Sequence, residues 1–121
     1  MSQAVKTPET GPDVDPYTVP LDKIDPARAD LFDTQAHWKY FERLRKEDPV
    51  HYCADSEFGP YWSITKFKDI VYVDSHHEEF SSEPTIVIGD MEDPENEFPM
   101  FIAMDQPKHD IQRKAVTPSV A

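Results

Sequence analysis

Segment 104–114 places the strongest constraint on how this chain can fold. Asp105 is a favourable helix N-cap, and Pro107 is tolerated in a first turn because the amide that it lacks has no helical partner there. In a helix that begins at Asp105, His109 and Arg113 are four residues apart and lie on one face, with Cβ atoms about 6 Å apart. A ring N–H beside a permanently charged guanidinium suits a ligand that carries carboxylates.

Apolar periodicity predicts an earlier helix from about Thr34 to Lys46. Asp33 or Thr34 is predicted to cap this helix, and Pro49 is predicted to stop it. Apolar residues recur along it at every third position, which is typical of a face that packs against a core rather than against a cofactor. The residues of this predicted core face are Trp38, Phe41 and Leu44.

Two short strands and a further helix are predicted next. Segments 50–53 and 61–65 are rich in β-branched and aromatic residues, and the turn residues between them include Gly59 and Pro60. This pattern predicts a β-hairpin. The helix that follows is predicted over residues 66–75. Its apolar residues share one face and are Phe67, Ile70 and Val71.

Residues 84–104 show no clear period and are predicted to form a loop of about twenty residues, a length typical of functional or disordered loops. An acidic segment from Asp90 to Glu97 separates two apolar patches in this loop. The patches consist of Ile86, Val87 and Ile88 on one side and of Met100, Phe101 and Ile102 on the other. Residues 1–20 are rich in proline, lack a period, and are predicted to form a mobile leader before a domain that covers residues 21–121.

Composition limits the classes of function. Acidic residues number 24 against 12 basic ones, and the net charge of −12 argues against nucleic acid or anionic lipid as a partner. A single cysteine, Cys53, excludes an intrachain disulfide and a multi-cysteine metal site within the chain. The sequence lacks both a signal-peptide pattern and an apolar run of the ~20 residues that span a bilayer, so the predicted location is the cytoplasm.

The order of helix, hairpin, helix, long loop and His-x-x-x-Arg helix resembles the N-terminal third of the soluble bacterial cytochromes P-450, from the A helix to the C helix. The resemblance covers about residues 21–121. It departs from the family at Gln106, where members usually have proline, but glutamine is tolerated in a first helical turn. The implied fold class is mixed, mainly α with a small β-hairpin, and incomplete as a domain.

The resemblance implies that His109 and Arg113 hold the propionates of a haem, with Arg113 supplying most of the attraction. Composition alone favours a solvated histidine and a surface ion pair at these positions. In the family, the cysteine that binds the haem iron lies in a glycine-rich loop near the C-terminus, so the iron ligand is predicted to be absent from this chain. Cys53 ends a strand and is interpreted as a small buried hydrophobe, not as that ligand.

The complete enzyme implied by the resemblance is a haem-dependent monooxygenase that inserts one oxygen atom from O2 into a C–H bond. Its electrons come from NAD(P)H through a ferredoxin reductase and a ferredoxin, and the fragment is not expected to be active alone. Segment 99–104 is most similar to the terminal hydroxylases of alkanes and fatty acids. By position, both apolar patches match the family's substrate-lining loop, where aliphatic side chains suit an alkyl chain. Ordinary packing beneath a loop is the alternative.

The composition leaves two interpretations of the chain. The chain contains 38% hydrophobic residues, 12 prolines and 3 glycines, which is little material for an independent core, and this favours an N-terminal piece of a larger protein. A small acidic protein-interaction module without enzymatic activity is the other possibility, with segment 90–97 as its contact surface. A reading frame that continues past codon 121 favours the enzyme, and an immediate stop codon favours the module.

Overall fold

The computed structural model describes residues 10–89 and 100–121 of the chain. It divides into two compact units, one that ends at Phe67 and one that begins at Lys68. The helices and strands are α1 (Ala29–Asp33), α2 (His37–Glu47), β1 (Val50–Cys53), β2 (Tyr61–Ile64), α3 (Phe67–Ser75) and α4 (Lys108–Val120). The described residues are therefore mainly helical with a two-stranded hairpin, which confirms the predicted fold class.

Five side chains form the buried core of the first unit: Val19, Ile24, Leu31, Tyr40 and Leu44. The predicted core face of α2 is wrong in part, because Leu44 is fully buried whereas Trp38 is 64% exposed. Successive helical residues are rotated by about 100°, so positions 38 and 44 differ by about 120°, whereas positions 40 and 44 differ by about 40°. Tyr40 and Leu44 can therefore face the core together, and Phe41 packs at its edge.

The start of α2 also differs from the prediction. Ala36 occupies the N-cap position, and no side chain caps the helix. The Thr34 hydroxyl donates instead to the carbonyl oxygen of Asp30 at 2.7 Å, at the end of α1. Gln35 has a φ of 58°, in the left-handed region, so the helical path is interrupted between α1 and α2. The predicted cap at Asp33 or Thr34 is therefore wrong.

Residues 10–20 pack onto α2 instead of forming a separate leader. The Tyr40 hydroxyl is hydrogen-bonded to the backbone of Gly11, and the buried Arg43 guanidinium donates to two carbonyl oxygens of the segment. Because these contacts use backbone groups, the side chains of the segment carry no periodic signal that predicts them. Residues 1–9 of the predicted leader lie outside the described residues.

β1 and β2 form the predicted antiparallel hairpin, in which Tyr52 lies opposite Trp62. In β1, His51 and Cys53 are buried, and the residues that alternate with them are exposed. Gly59, in the turn, has a φ of 81°, a backbone conformation that residues other than glycine rarely adopt. The observed pairing confirms the hairpin prediction, which depended on local turn chemistry.

His51 ties the hairpin to the segment before α1. Its Nδ1 lies 2.7 Å from a carboxylate oxygen of Asp48, and its Nε2 lies 2.8 Å from the carbonyl oxygen of Ile24. Both partners are hydrogen-bond acceptors, and together they occupy both ring nitrogens of His51. Neither nitrogen is left to bind a metal.

α3 begins at Phe67, one residue later than predicted, and from Lys68 onward it belongs to the second unit. The described residues leave its predicted apolar face open: Phe67 is 79% exposed, and Ile70 and Val71 are about half exposed. Of the helices that the structure describes, none has the length and apolar character needed to cross a membrane.

Candidate functional site

The candidate site lies at the start of α4, which differs from the prediction by three residues. The helix begins at Lys108, with Pro107 at the N-cap position and no side-chain hydrogen bond to its first turn. Asp105 contributes its carbonyl oxygen, which accepts from the amide of His109 at 3.0 Å. The prediction that Asp105 starts and caps the helix is therefore wrong, although His109 and Arg113 both lie in α4, four residues apart.

The Asp105 carboxylate has other partners. Its Oδ1 accepts a hydrogen bond from the amide of Ser82 at 2.8 Å, and its Oδ2 accepts one from the hydroxyl of Ser81. The hydrogen bond from Ser81, followed by that from Ser82, holds the pKa of Asp105 below its ordinary value. Asp105 is therefore ionised at neutral pH and accepts charge-assisted hydrogen bonds.

The ring of His109 is oriented by the turn that precedes α4. Its Nδ1 lies 2.8 Å from the carbonyl oxygen of Phe101, and the two rings meet edge to face with centroids 5.7 Å apart. A carbonyl oxygen can only accept, so Nδ1 carries the proton of this hydrogen bond. Nε2 is the nitrogen left for a ligand, and it donates to a carboxylate when the ring is doubly protonated.

Arg113 lies one helical turn after His109 and is solvent-exposed. Among the residues that the structure describes, no carboxylate lies within ion-pair distance of its guanidinium, so the surface ion pair favoured by composition is not formed there. Lys108 and Lys114 are also exposed on the same helix. In a chain of net charge −12, this basic stretch is suited to an anionic ligand.

The candidate substrate residues differ in burial. Five are exposed to solvent by about half or more: Ile86, Val87, Ile88, Met100 and Ile102. Phe101 is partly buried against His109 and lies in the 3-10 turn Phe101–Ala103. A cavity of about 230 Å³ lies elsewhere, in the first unit beside Tyr40, and none of these residues lines it. The acidic segment 90–97 lies outside the described residues.

Cys53 is a poor candidate for an iron ligand. Its side chain is buried, and its thiol points to the carbonyl oxygen of Asp55 at a distance of 3.6 Å. Burial raises the pKa of the Cys53 thiol, and the negative charge of Asp25 raises it further, so the thiolate form that binds metals is disfavoured. In the part of the chain that the structure describes, no group of three metal-binding side chains is found.

Solved structures with the same arrangement decide the family. The chain is 40% identical to CYP153D17 from a Sphingomonas species, with a TM-score of 0.69 over 84% of this chain. It is 36% identical to cytochrome P450-153 from Novosphingobium aromaticivorans, also with a TM-score of 0.69, over 80% of this chain. The chain belongs to the cytochrome P-450 family. The family predicted from the sequence is confirmed, although no protein-family model matches the chain.

Curated relatives of this cytochrome P-450 chain include the methyl-branched lipid omega-hydroxylase of Mycobacterium tuberculosis, 31% identical over 119 residues and 87% of this chain. Linalool 8-monooxygenase of Pseudomonas putida is 27% identical over 118 residues and 84% of this chain. The chain spans 28% and 27% of these relatives, and 26% and 29% of the two solved chains. It therefore corresponds to an N-terminal portion of the P-450 fold, in which α4 is the last helix that the structure describes.

Sequence reasoning missed the role of Ser81 and Ser82. They lie 24 and 23 positions before Asp105, and no spacing rule connects residues so far apart. It also missed that Phe101 occupies one nitrogen of His109, because the acceptor is a backbone carbonyl, which every residue has. The sequence feature that could have indicated the contacts with Ser81 and Ser82 is Asp105 itself, a carboxylate in a turn that needs hydrogen-bond donors.

Proposed function

We propose that the complete protein is a haem-dependent monooxygenase that inserts one oxygen atom from O2 into the terminal C–H bond of an alkane or fatty acid. The observation that carries the proposal is a basic face on α4, with an oriented His109 and an exposed Arg113, in a chain similar to an omega-hydroxylase and to P450-153. The relative that is a lipid omega-hydroxylase supports oxidation at the end of a lipid chain.

In this proposal, His109 and Arg113 hold the two propionates of a haem. Arg113 provides a permanent positive charge and a planar pair of donors, which suits a carboxylate. His109 presents Nε2, because Nδ1 is bound to Phe101. The bound haem supplies the activation of dioxygen. The residues of this chain bind and orient it, and its cysteine ligand lies outside this chain.

The two apolar patches are proposed to hold the alkyl chain of the substrate. Each buried CH₂ group gains roughly 0.8 kcal/mol on leaving water, so a hydrocarbon needs no polar partner. The six patch residues have no hydrogen-bond donor in their side chains, and the position of oxidation must therefore be set by shape. Phe101 is the one aromatic residue among the six and lies beside His109. Its ring is therefore proposed to limit the width of the channel.

Electrons are proposed to come from NAD(P)H through a ferredoxin reductase and a ferredoxin, and the cytoplasm is the proposed location of the enzyme. The exposed side chains of Lys108 and Lys114 support docking of an acidic ferredoxin. The rival interaction module is not favoured, because the relatives are monooxygenases and hydroxylases.

The test is product analysis with the complete enzyme. Octane and a medium-chain fatty acid are supplied with NAD(P)H, a ferredoxin and its reductase, and the alcohols are separated by gas chromatography. Mainly terminal alcohol is the expected product. Mainly internal alcohols, or turnover of bulky ring substrates only, would remove terminal specificity while the family assignment remains.

A further inference from the structure

Asp105 joins parts of the second unit that are distant in sequence. Its carboxylate accepts from the amide of Ser82 at 2.8 Å and from the hydroxyl of Ser81, while its own amide lies 3.4 Å from Oε1 of Glu83. The Ser81 oxygen in turn accepts from the amide of Glu83 at 3.0 Å. These contacts, here called the Asp105 clasp, hold together the two ends of segment 84–104.

The clasp lies close to both apolar patches in sequence. Residues 86–88 begin four positions after Ser82, and residues 100–102 end three positions before Asp105. An extended chain spans at most about 3.6 Å per residue, so a closed clasp limits how far apart the two patches can move.

The second patch, residues 100–102, has an additional contact with α4. His109 binds the carbonyl oxygen of Phe101 at 2.8 Å and packs against its ring. Both ends of the loop are therefore held near α4: Asp105, in the turn before the helix, binds residues 81–83, and His109, in its first turn, binds Phe101. Of these two residues, only His109 is proposed to hold a haem, so the effect of Asp105 on the loop can be measured separately.

We infer that Asp105 is a positioning residue for substrate specificity. By holding residues 81–83 to the turn that precedes α4, it sets the separation of the two apolar patches that bind the alkyl chain. Asp105 itself does not touch the substrate. The identity of the ligand rests on the proposed function, whereas the holding of the loop rests on the hydrogen bonds alone.

The first arm of the test measures the loop without a substrate. Amide hydrogen exchange is followed in peptides that cover residues 84–89 and 100–104 of the haem-loaded complete enzyme. Asp105→Asn keeps the size of the side chain but removes its charge, and Ser81→Ala removes one donor. Both variants should exchange about fivefold faster in these peptides, because each weakens the hydrogen bonds of the clasp.

Asp110→Ala is the matched control, because it removes a carboxylate from the first turn of α4 that makes no side-chain hydrogen bond to the described residues. It should exchange as the wild type does. The double variant Ser81→Ala/Asp105→Asn should exchange little faster than Asp105→Asn, since the two residues act through one contact. Exchange that is unchanged in both single variants would show that Asp105 does not hold the loop, and the inference would be overturned.

The second arm measures specificity in the same proteins. Asp105→Asn and Ser81→Ala should raise KM for octane about fivefold and increase the share of subterminal alcohol, while kcat and the haem-to-protein ratio stay near the wild-type values. A role in stability only would lower haem content and leave KM and product distribution unchanged, and this outcome would also overturn the inference. A wild type that oxidises neither alkanes nor fatty acids would overturn the proposed function and the specificity role with it, and the exchange result would still decide whether Asp105 holds the loop.

Discussion

The hydroxyl of Tyr40 makes two hydrogen bonds to one residue: it accepts from the amide of Gly11 at 3.1 Å and donates to the carbonyl oxygen of Gly11 at 2.8 Å. Tyr40 is 1% exposed, so both bonds are shielded from water. One side chain of α2 thereby satisfies the backbone of a segment 29 positions earlier in the sequence. This contact joins residues 10–20 to the core of the first unit.

Tyr40→Phe should loosen this segment. Loss of both hydrogen bonds leaves the Gly11 backbone groups without these partners, which costs about 1–3 kcal/mol locally and should raise the exchange rate of the Gly11 amide roughly 5- to 100-fold. Tyr52→Phe is the control, because the exposed Tyr52 hydroxyl makes no hydrogen bond to the described residues. Equal exchange in the two variants would contradict the anchoring role.

Tyr61→Phe should lower stability near neutral pH, and the deficit should shrink in alkali. The phenol of Tyr61 donates to Asp25 and accepts from the amide of Ala27 at 3.0 Å. Burial, followed by the hydrogen bond to Asp25, raises the pKa of Tyr61 above its ordinary value of 10.0. Because the folded state favours the neutral phenol, its contribution is complete below pH about 10 and is lost as the pH rises through the folded value.

Thermal unfolding of the complete enzyme from pH 7 to pH 11 tests this prediction. At pH 8, Tyr61→Phe should be less stable than the wild type by about 1.5–3 kcal/mol, the contribution of a hydrogen bond to a charged group. Above pH 10, the two melting temperatures should converge. A difference that stays constant over the whole range would show that ionisation of Tyr61 is not linked to folding.

Arg113→Leu should lower haem retention more than His109→Phe in the complete enzyme. Arg113 carries a permanent charge, whereas His109 donates from Nε2 only when its ring is doubly protonated. The haem-to-protein ratio after gel filtration is the measurement. Lys114→Leu removes an adjacent exposed charge and serves as the control. Equal haem content in the wild type and in both site variants would return these residues to an ordinary surface role.

Phe101→Ala should relax the position of oxidation. Removal of the ring widens the proposed channel, so the share of subterminal alcohol from octane should rise severalfold while total turnover falls less than threefold. Ile111→Ala shortens another apolar side chain of the second unit, 67% exposed on α4, and should leave the products unchanged. An unaltered product ratio in Phe101→Ala would place this ring outside the substrate channel.

Cys53→Ala should leave the thiolate-ligated haem of the complete enzyme intact. The Cys53 thiol is buried and its pKa is raised, so it does not supply the anionic sulfur that haem-thiolate iron requires. The reduced, carbon-monoxide-bound absorption spectrum should match that of the wild type. The 121-residue chain mixed with haemin should show no thiolate band. A loss of the band in Cys53→Ala would identify Cys53 as the ligand.

Several features of the fold could be predicted from the sequence because they depend on neighbouring residues. The hairpin followed from two short runs of strand-forming residues on either side of a turn with Gly59 and Pro60, and the two strands are paired in the structure. α3 was correct to one residue. Placing His109 and Arg113 on one helix face needed only the helical period. Their role in binding haem stays a prediction.

Tertiary contacts decided the remaining features. Which face of α2 is buried depended on Tyr40 reaching Gly11, 29 positions away, and not on the spacing of aromatic residues. Aspartate is a residue type that favours helix caps, yet the Asp105 carboxylate accepts from Ser81 and Ser82. These two donors occupy the oxygen atoms that would otherwise cap the helix. Sequence alone determined which elements form, since turn chemistry and periodicity are local. The partner of each polar side chain was decided by the fold, because a hydrogen bond between distant residues leaves no period in the chain.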